Sequence, residues 1–204
     1  MRSQLVATLA GLILAASSAA AWSQAPGNLY LGAGIGRAEM KDACVQTTGI
    51  TFTSCDDAQT GWKLFAGYQF HPNLAAEVAF DNFGGTTASF TGAGSSGDAK
   101  IDIAAYDLSL IGSWPLASRF AIFGRLGAFY SDVRNRRRVT SGGTSTTSAV
   151  SASNTNLTFG AGVSFQLNPN LGLRAEWQRF NAVGGDDTGQ SDIDLLTLGA
   201  LYRF

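Results

Sequence analysis

Eight stretches of this 204-residue chain alternate apolar and polar residues with a period of two. They begin near Leu29, Trp62, Leu74, Ala99, Phe120, Asn156, Leu171 and Ile193, and the connections between them take strict turns in length. Long polar segments such as "NRRRVTSGGTSTTSAVSASN" follow one stretch, and short ones such as "HPN", "PLAS" and "NPN" follow the next. Period two is strand periodicity, because successive side chains of a strand point to opposite faces. Long and short connections in alternation are the pattern of an up-and-down barrel that spans a membrane, with tight turns at one end and loops at the other. The first stretch, "LYLGAGIGR", fits this reading: Gly32, Gly34 and Gly36 are spaced by two and share a strand face. A dinucleotide-binding loop needs G-x-G-x-x-G between a strand and a helix, so these glycines do not predict a phosphate cradle.

Residue size predicts which face points outward. Trp62, Leu64, Ala66, Tyr68 and Phe70 oppose Lys63, Phe65, Gly67 and Gln69, and Leu157, Phe159, Ala161, Val163 and Phe165 oppose Thr158, Gly160, Gly162, Ser164 and Gln166. One face carries nearly all the Leu, Phe, Trp and Tyr, too much volume for the interior of eight strands, which is just wide enough to be filled by side chains. The other carries glycines and a few charges. No Lys or Arg falls mid-strand on the apolar face, where it would cost about 2–4 kcal/mol in lipid. The expected fold is therefore all-β: an eight-stranded antiparallel up-and-down transmembrane β-barrel, with a narrow lumen of glycines and charges and four long extracellular loops.

The ends agree with this expectation. Arg2, the uncharged run from Leu5 to Ala16 and the small residues "SSAAAWSQA" have the order of a secretory signal peptide. Cleavage is expected after Ala21, or as late as Ala25, so residues 22–204 form the barrel. A net charge of −1 argues against nucleic acid as a partner, since a nucleic-acid binder carries a basic footprint. Behind a leader, the only two cysteines, Cys44 and Cys55, point to a disulfide in an oxidising compartment. It would close a loop of about a dozen residues and stabilise it by roughly 3 kcal/mol; a metal would want more ligands than this pair supplies.

The stretches "LYLGAGIGR", "GYQFHPNLAAEVAF", "RFAIFGRLGAFYSD", "FGAGVSFQLNPNLGLRAEWQRF" and "LTLGALYRF" together resemble the OmpA-like outer-membrane β-barrel family, from first strand to last. The resemblance implies a bacterial outer-membrane location, contact with membrane lipid and lipopolysaccharide, and a closing strand, with Tyr202 and Phe204, that the outer-membrane assembly machinery reads. No peptidoglycan-binding domain follows Phe204 in this sequence, so no cell-wall tether is expected. The family's lumen carries a salt-bridge network. Here the inward positions hold Lys63, Arg125, Arg174 and Arg203 against Glu77, Asp81, Asp107 and Glu176, with Arg125, Arg174 and Glu176 matching the network's general placement. A balanced set should pair and plug the lumen.

Outside the lumen, Arg134, Arg136, Arg137 and Arg138 stand where the fifth stretch enters a long connection. They would suit lipopolysaccharide phosphates or an acidic host glycan, because arginine forks match such oxyanions, or they are a solvated anchor at the membrane surface. Asp186, Asp187, Asp192 and Asp194 cluster near the last loop; acidic residues there read as solvation, and no metal or cofactor is expected. Lipid A acyltransferase or deacylase chemistry needs a histidine with a serine or acidic partner. The sole histidine, His71, falls in a short turn at the opposite end, so no enzyme is expected. The sequence thus predicts an envelope or surface-interaction protein, with a narrow solute channel or an adhesin as the alternatives.

Overall fold

Strand β1 (Leu29–Met40) pairs antiparallel on both sides, with β3 (Ala58–His71) and with β9 (Gly189–Arg203). That double pairing closes a ring in the computed structural model, which describes residues 29–41, 51–54, 58–92, 95–141, 144–185 and 189–204. The ring continues through β4 (Leu74–Gly92), β5 (Ser95–Ala117), β6 (Phe120–Ser141), β7 (Thr144–Gln166) and β8 (Leu171–Gly185), each antiparallel to its neighbour. A short strand, β2 (Thr51–Ser54), pairs with β4 outside the eight-stranded ring. Closure leaves the ring no free edge, so within it backbone groups are satisfied from both sides, while residues 144–157 of β7 project beyond it and pair with β6 alone. The segment expected to be a leader, Cys44, Cys55, Asp186 and Asp187 lie outside the described residues.

Two connections differ from the sequence expectation. The segments read as long loops after the third and fifth apolar stretches continue the strands, so that β4–β5 and β6–β7 run as paired ladders to Gly92↔Ser95 and Ser141↔Thr144. Thr, Ser and Val in these segments suit a pleated ladder, and polar composition alone hid it.

At the opposite end the chain uses one turn twice. In "QFHPNL" and "QLNPNL", Gln69 Nε2 donates to Pro72 O (2.8 Å) and Gln166 Nε2 to Pro169 O (3.1 Å). Asn73 N donates to His71 Nδ1 and Asn170 N to Asn168 Oδ1. Asn73 Nδ2 and Asn170 Nδ2 then reach the neighbouring strands at Ser113 O and Arg203 O. His71 is thus an acceptor that shapes a turn.

The outward face is apolar and banded. Trp62, Phe80 and Tyr106 form a chain of rings with centroids 5.3 and 5.0 Å apart, which register extends to Tyr130. Towards the short turns stand Tyr68, Phe70, Trp114, Phe120, Phe165, Tyr202 and Phe204, all exposed. Leu64, Val78, Leu108, Leu110, Leu126 and Leu198 lie exposed between the two belts. Eight residues separate Tyr106 from Trp114; at about 3.3 Å per residue and a 35–45° tilt this is roughly 20 Å of height, comparable to a membrane barrel's apolar band.

Inside, the sequence expectation of glycines and charges is incomplete, because the phenylalanines divide between the faces. Phe83, Phe129 and Phe180 meet edge to face at the loop end (4.8 and 5.2 Å between centroids), with Ile193, Leu195 and Ala105 around them. Phe65, Phe123, Tyr30, Ile111 and Leu201 form a second apolar layer at the turn end. The glycines are the complement of these rings. Phe65 stands opposite Gly32, Tyr30 opposite Gly67 and Phe123 opposite Gly162, and a Cβ added at any of the three glycines would strike the facing ring. The space that glycines leave is therefore filled by rings, alternating large and small as narrow barrels require.

Gly34 and Gly36 separate two kinds of glycine. A Cβ at Gly34 would find nothing nearer than 3.4 Å, whereas one at Gly36 would run into the Leu196 carbonyl group, which is backbone and cannot turn aside. Gly36→Ala is expected to destabilise the barrel by about 1–3 kcal/mol and Gly34→Ala to be near neutral, read as urea midpoints of the refolded protein. Equal midpoints would show that the β1–β9 seam has slack.

Candidate functional site

Between the two apolar layers lies a belt of buried charge. Along β6 the inward positions read Phe123, Arg125, Gly127, Phe129, and along β8 they read Arg174, Glu176, Gln178, Phe180. Strand parity thus sets each charge at mid-height, and a glycine stands opposite most of the long ones: Lys63 across from Gly34, Arg125 from Gly160, Arg174 from Gly199.

Arg125 is the hub. Its Nη2 lies 2.7 Å from Glu77 Oε1 and its Nη1 2.6 Å from Glu176 Oε1, with Asp107 Oδ1 at 3.5 Å. These carboxylates come from β4, β8 and β5, so one guanidinium joins strands on different sides of the ring. Arg174 adds Nη1 to Glu77 Oε2 (2.7 Å) and Nε to Glu176 Oε2 (2.9 Å). Lys63 Nζ lies 3.3 Å from Glu176, 3.6 Å from Asp81 and 3.8 Å from Asp107. All seven residues are buried.

Neutral residues that sequence reading passed over complete the belt. Gln178 accepts from Lys63 Nζ (2.6 Å) and from Arg125, and donates to Asp107 Oδ2 and Thr158 Oγ1. Tyr30 OH donates to Glu77 Oε2 and Ser109 Oγ to Asp107 Oδ1. Gln178 and Ser109 share strand parity with Glu176 and Asp107, which was the available signal; Tyr30 and Thr158 share theirs only with the luminal glycines of β1 and β7. The saturation is incomplete at a few atoms: Asp81 is fully buried with no hydrogen bond to either carboxylate oxygen, and Arg125 Nε and Arg174 Nη2 are buried without an acceptor.

Arg203, the eighth luminal charge, lies apart from the belt. It sits a layer lower, where its Nη1 donates to Gln69 Oε1 (3.0 Å). Without it the belt holds three cations against four carboxylates.

A sequence–family match now joins the geometry: the OmpA-like transmembrane domain matches residues 24–204. The chain belongs to that family. Among curated OmpA proteins, those of Shigella flexneri and Salmonella typhi are 26% and 25% identical over 178 residues, 86% of this chain. The chain spans about half the length of these relatives (48%). Solved structures share the fold. Ail, the attachment invasion locus protein of Yersinia pestis, matches with a TM-score of 0.52 and 22% identity over 88% of this chain and 99% of that one. OprG of Pseudomonas aeruginosa matches at 0.52 and 16% over 88% and 97%. A second Ail structure, in complex with the heparin analogue sucrose octasulfate, matches at 0.53 and 19% over 88% and 99%. The OmpA-like chain is an eight-stranded barrel of the bacterial outer membrane.

On this OmpA-like barrel the outward charges gather at the loop end. Arg179 grips Asp194 through two bonds of 2.6 and 2.8 Å, and Lys41 Nζ joins the same carboxylate at 3.1 Å. Asp192 Oδ1 accepts from Ala182 N, at a bulge where Ala182 takes φ 47°. Both aspartates are therefore engaged by the chain itself. Arg134, Arg136 and Arg138 are exposed on one face of β6. Register sets them beside Asp102, Lys100 and Asp98, and Arg134 Nε also lies 3.5 Å from Asp132. Arg137 occupies the alternate position of the strand. Among the described residues no group of three or more His, Cys, Asp or Glu is placed to hold a metal.

Losing one member of a buried ion network leaves its partners uncompensated and costs about 3–5 kcal/mol. Lys63→Met is expected to lose this much, because it removes the cation beside the unbonded Asp81. Adding Asp81→Asn should restore part of it. Urea midpoints of the single and double variants decide; equal midpoints would mean that Lys63 and Asp81 are not coupled.

Proposed function

We propose that this barrel acts from its outer surface: an integral outer-membrane scaffold that presents its long hairpins to acidic glycans, while its lumen serves as a rigid plug. The observation that carries this reading is the filling of the lumen, with aromatic rings at the loop end, seven buried charges at mid-height and a second apolar layer below. A solute would have to break the ion pairs and then displace packed rings, and eight strands leave no second path. A conducting channel is disfavoured for the same reason.

Function then falls to the hairpins. Beyond Tyr130 the β6–β7 ladder continues from Ser131 to Ser141 and back from Thr144, roughly 35 Å of strand at about 3.3 Å per residue. Arg134, Arg136 and Arg138 recur every second residue along it, a spacing of about 6.6 Å that suits a run of anionic groups. At the centre of the row the register partner of Arg136 is Lys100. Binding of a heparin analogue by Ail, a fold neighbour, fits the same chemistry. Phosphates of lipopolysaccharide beside the barrel offer the row a second source of anions. A leader at residues 1–21, a Cys44–Cys55 disulfide in the first long connection, and reading of Tyr202 and Phe204 by the assembly machinery belong to this proposal. No catalytic role is assigned.

The test uses the barrel refolded in lipid nanodiscs, with and without lipopolysaccharide, over immobilised heparin. Wild type should bind, and the triple variant Arg134→Gln, Arg136→Gln, Arg138→Gln should lose about tenfold or more in affinity, the sum of modest exposed contacts. If only the lipopolysaccharide-free discs bind, the row is already occupied by the lipid. Binding unchanged in the triple variant would sink the reading, as would steady conductance of wild type in planar bilayers.

A further inference from the structure

Beneath the charged belt, at the end that carries the short turns, the barrel opens into a cavity of about 220 Å³. Its wall contains three arginines, Arg119, Arg174 and Arg203, and no aspartate or glutamate. All the carboxylates of the belt lie above it, bound to one another's cations. The remainder of the wall is apolar, with Phe123, Ile111 and Leu201, or neutral and polar, with Ser113, Ser164 and Gln166.

Two of the three arginines hold unused donors. Arg174 has a side chain only 6% exposed; its Nη1 and Nε face Glu77 and Glu176, and its Nη2 is buried with no acceptor. The guanidinium is fixed in place by the ring of Phe123, 4.2 Å from its carbon, and that of Phe65 at 4.9 Å. Arg203 is held through Nη1 by Gln69, which is in turn tied to Pro72 of the turn, while its Nε is buried and unbonded. A buried donor on a charged group without an acceptor is costly, and the two residues that carry such donors both line this cavity.

We propose that this vestibule is a binding site for a small oxyanion of phosphate size, held between Arg174 and Arg203 with Arg119 at its mouth. A guanidinium presents a planar fork of donors that fits the oxygen spacing of phosphate or carboxylate. Apolar walls lower the local dielectric and strengthen such contacts. The pocket holds several waters' volume, so an oxyanion enters with part of its hydration. The charge separation of the lumen agrees with this role: Arg203 is absent from the belt and supplies its charge here.

The experiment is isothermal titration calorimetry of the refolded full barrel in detergent micelles with inorganic phosphate, at ionic strength held constant with sodium chloride. Wild type should bind one phosphate saturably, and sulfate should compete. Arg203→Gln lies outside the buried belt; it should fold, as judged by heat-dependent gel mobility, and weaken binding about tenfold, the loss of one charge-assisted hydrogen bond. Arg119→Gln should weaken it less. The triple variant Arg134→Gln, Arg136→Gln, Arg138→Gln should bind phosphate as wild type does, which separates this site from the surface row. Absence of saturable binding in wild type, or equal affinity in folded Arg203→Gln, would overturn the proposal.

Discussion

The guanidinium of Arg125 is the contact on which the interior depends. Backbone bonds in a barrel join each strand only to its two neighbours, and in a bilayer the hydrophobic effect gives no inward pull, because lipid tails are as apolar as the leucines that face them. Cohesion across the ring must come from side chains that meet inside. Arg125 reaches carboxylates from β4, β5 and β8 at once, and Lys63 and Arg174 bind the same carboxylates from β3 and β8. In an interior of low dielectric such a network is strong only when complete. That is why Gln178, with both ends of its amide used, belongs to it as fully as the charges do.

Glycine makes this belt sterically possible. A long side chain pointing into a ring of eight strands meets an adjacent strand at close range, and where Arg125, Phe65, Phe123 and Tyr30 point inward, the register partner on one side is a glycine whose added Cβ would crowd that side chain. The glycines are therefore an imprint of the large residues rather than a void. Gly36 and Gly199 are different: there the β1 and β9 backbones themselves come close, at the seam where the ring shuts. One sequence motif of three glycines thus does two jobs, packing against side chains and allowing closure.

Most of the architecture was legible because period two survives from sequence to structure. Parity alone placed Lys63, Glu77, Asp81, Asp107, Arg125, Arg174 and Glu176 on one face. It could equally have placed Phe129 and Phe180, which share parity with Arg125 and Glu176; they were missed because aromatic residues were assigned outward by volume. What parity does not carry is height. Arg203 lies on the inward face, as parity requires, but at the turn end, and only the register fixes how far along the barrel a residue sits. The extended β4–β5 and β6–β7 ladders were hidden for another reason: Ser, Thr and Gly suit a solvated strand and a loop alike, and pairing decides between them.

Arranged by height, the inward residues divide the lumen electrically as well as sterically. The loop end is sealed by apolar rings, the middle carries one more carboxylate than cation, and the turn end has arginines without acids. An ion entering from outside would lose its hydration at the rings before any charge could compensate it. An anion entering from the other side meets guanidinium donors early and stops at the carboxylates above them. The two ends of one barrel are therefore chemically unequal. Its inner surface is packed with rings at the loop end and opens, with a positively charged wall, at the turn end.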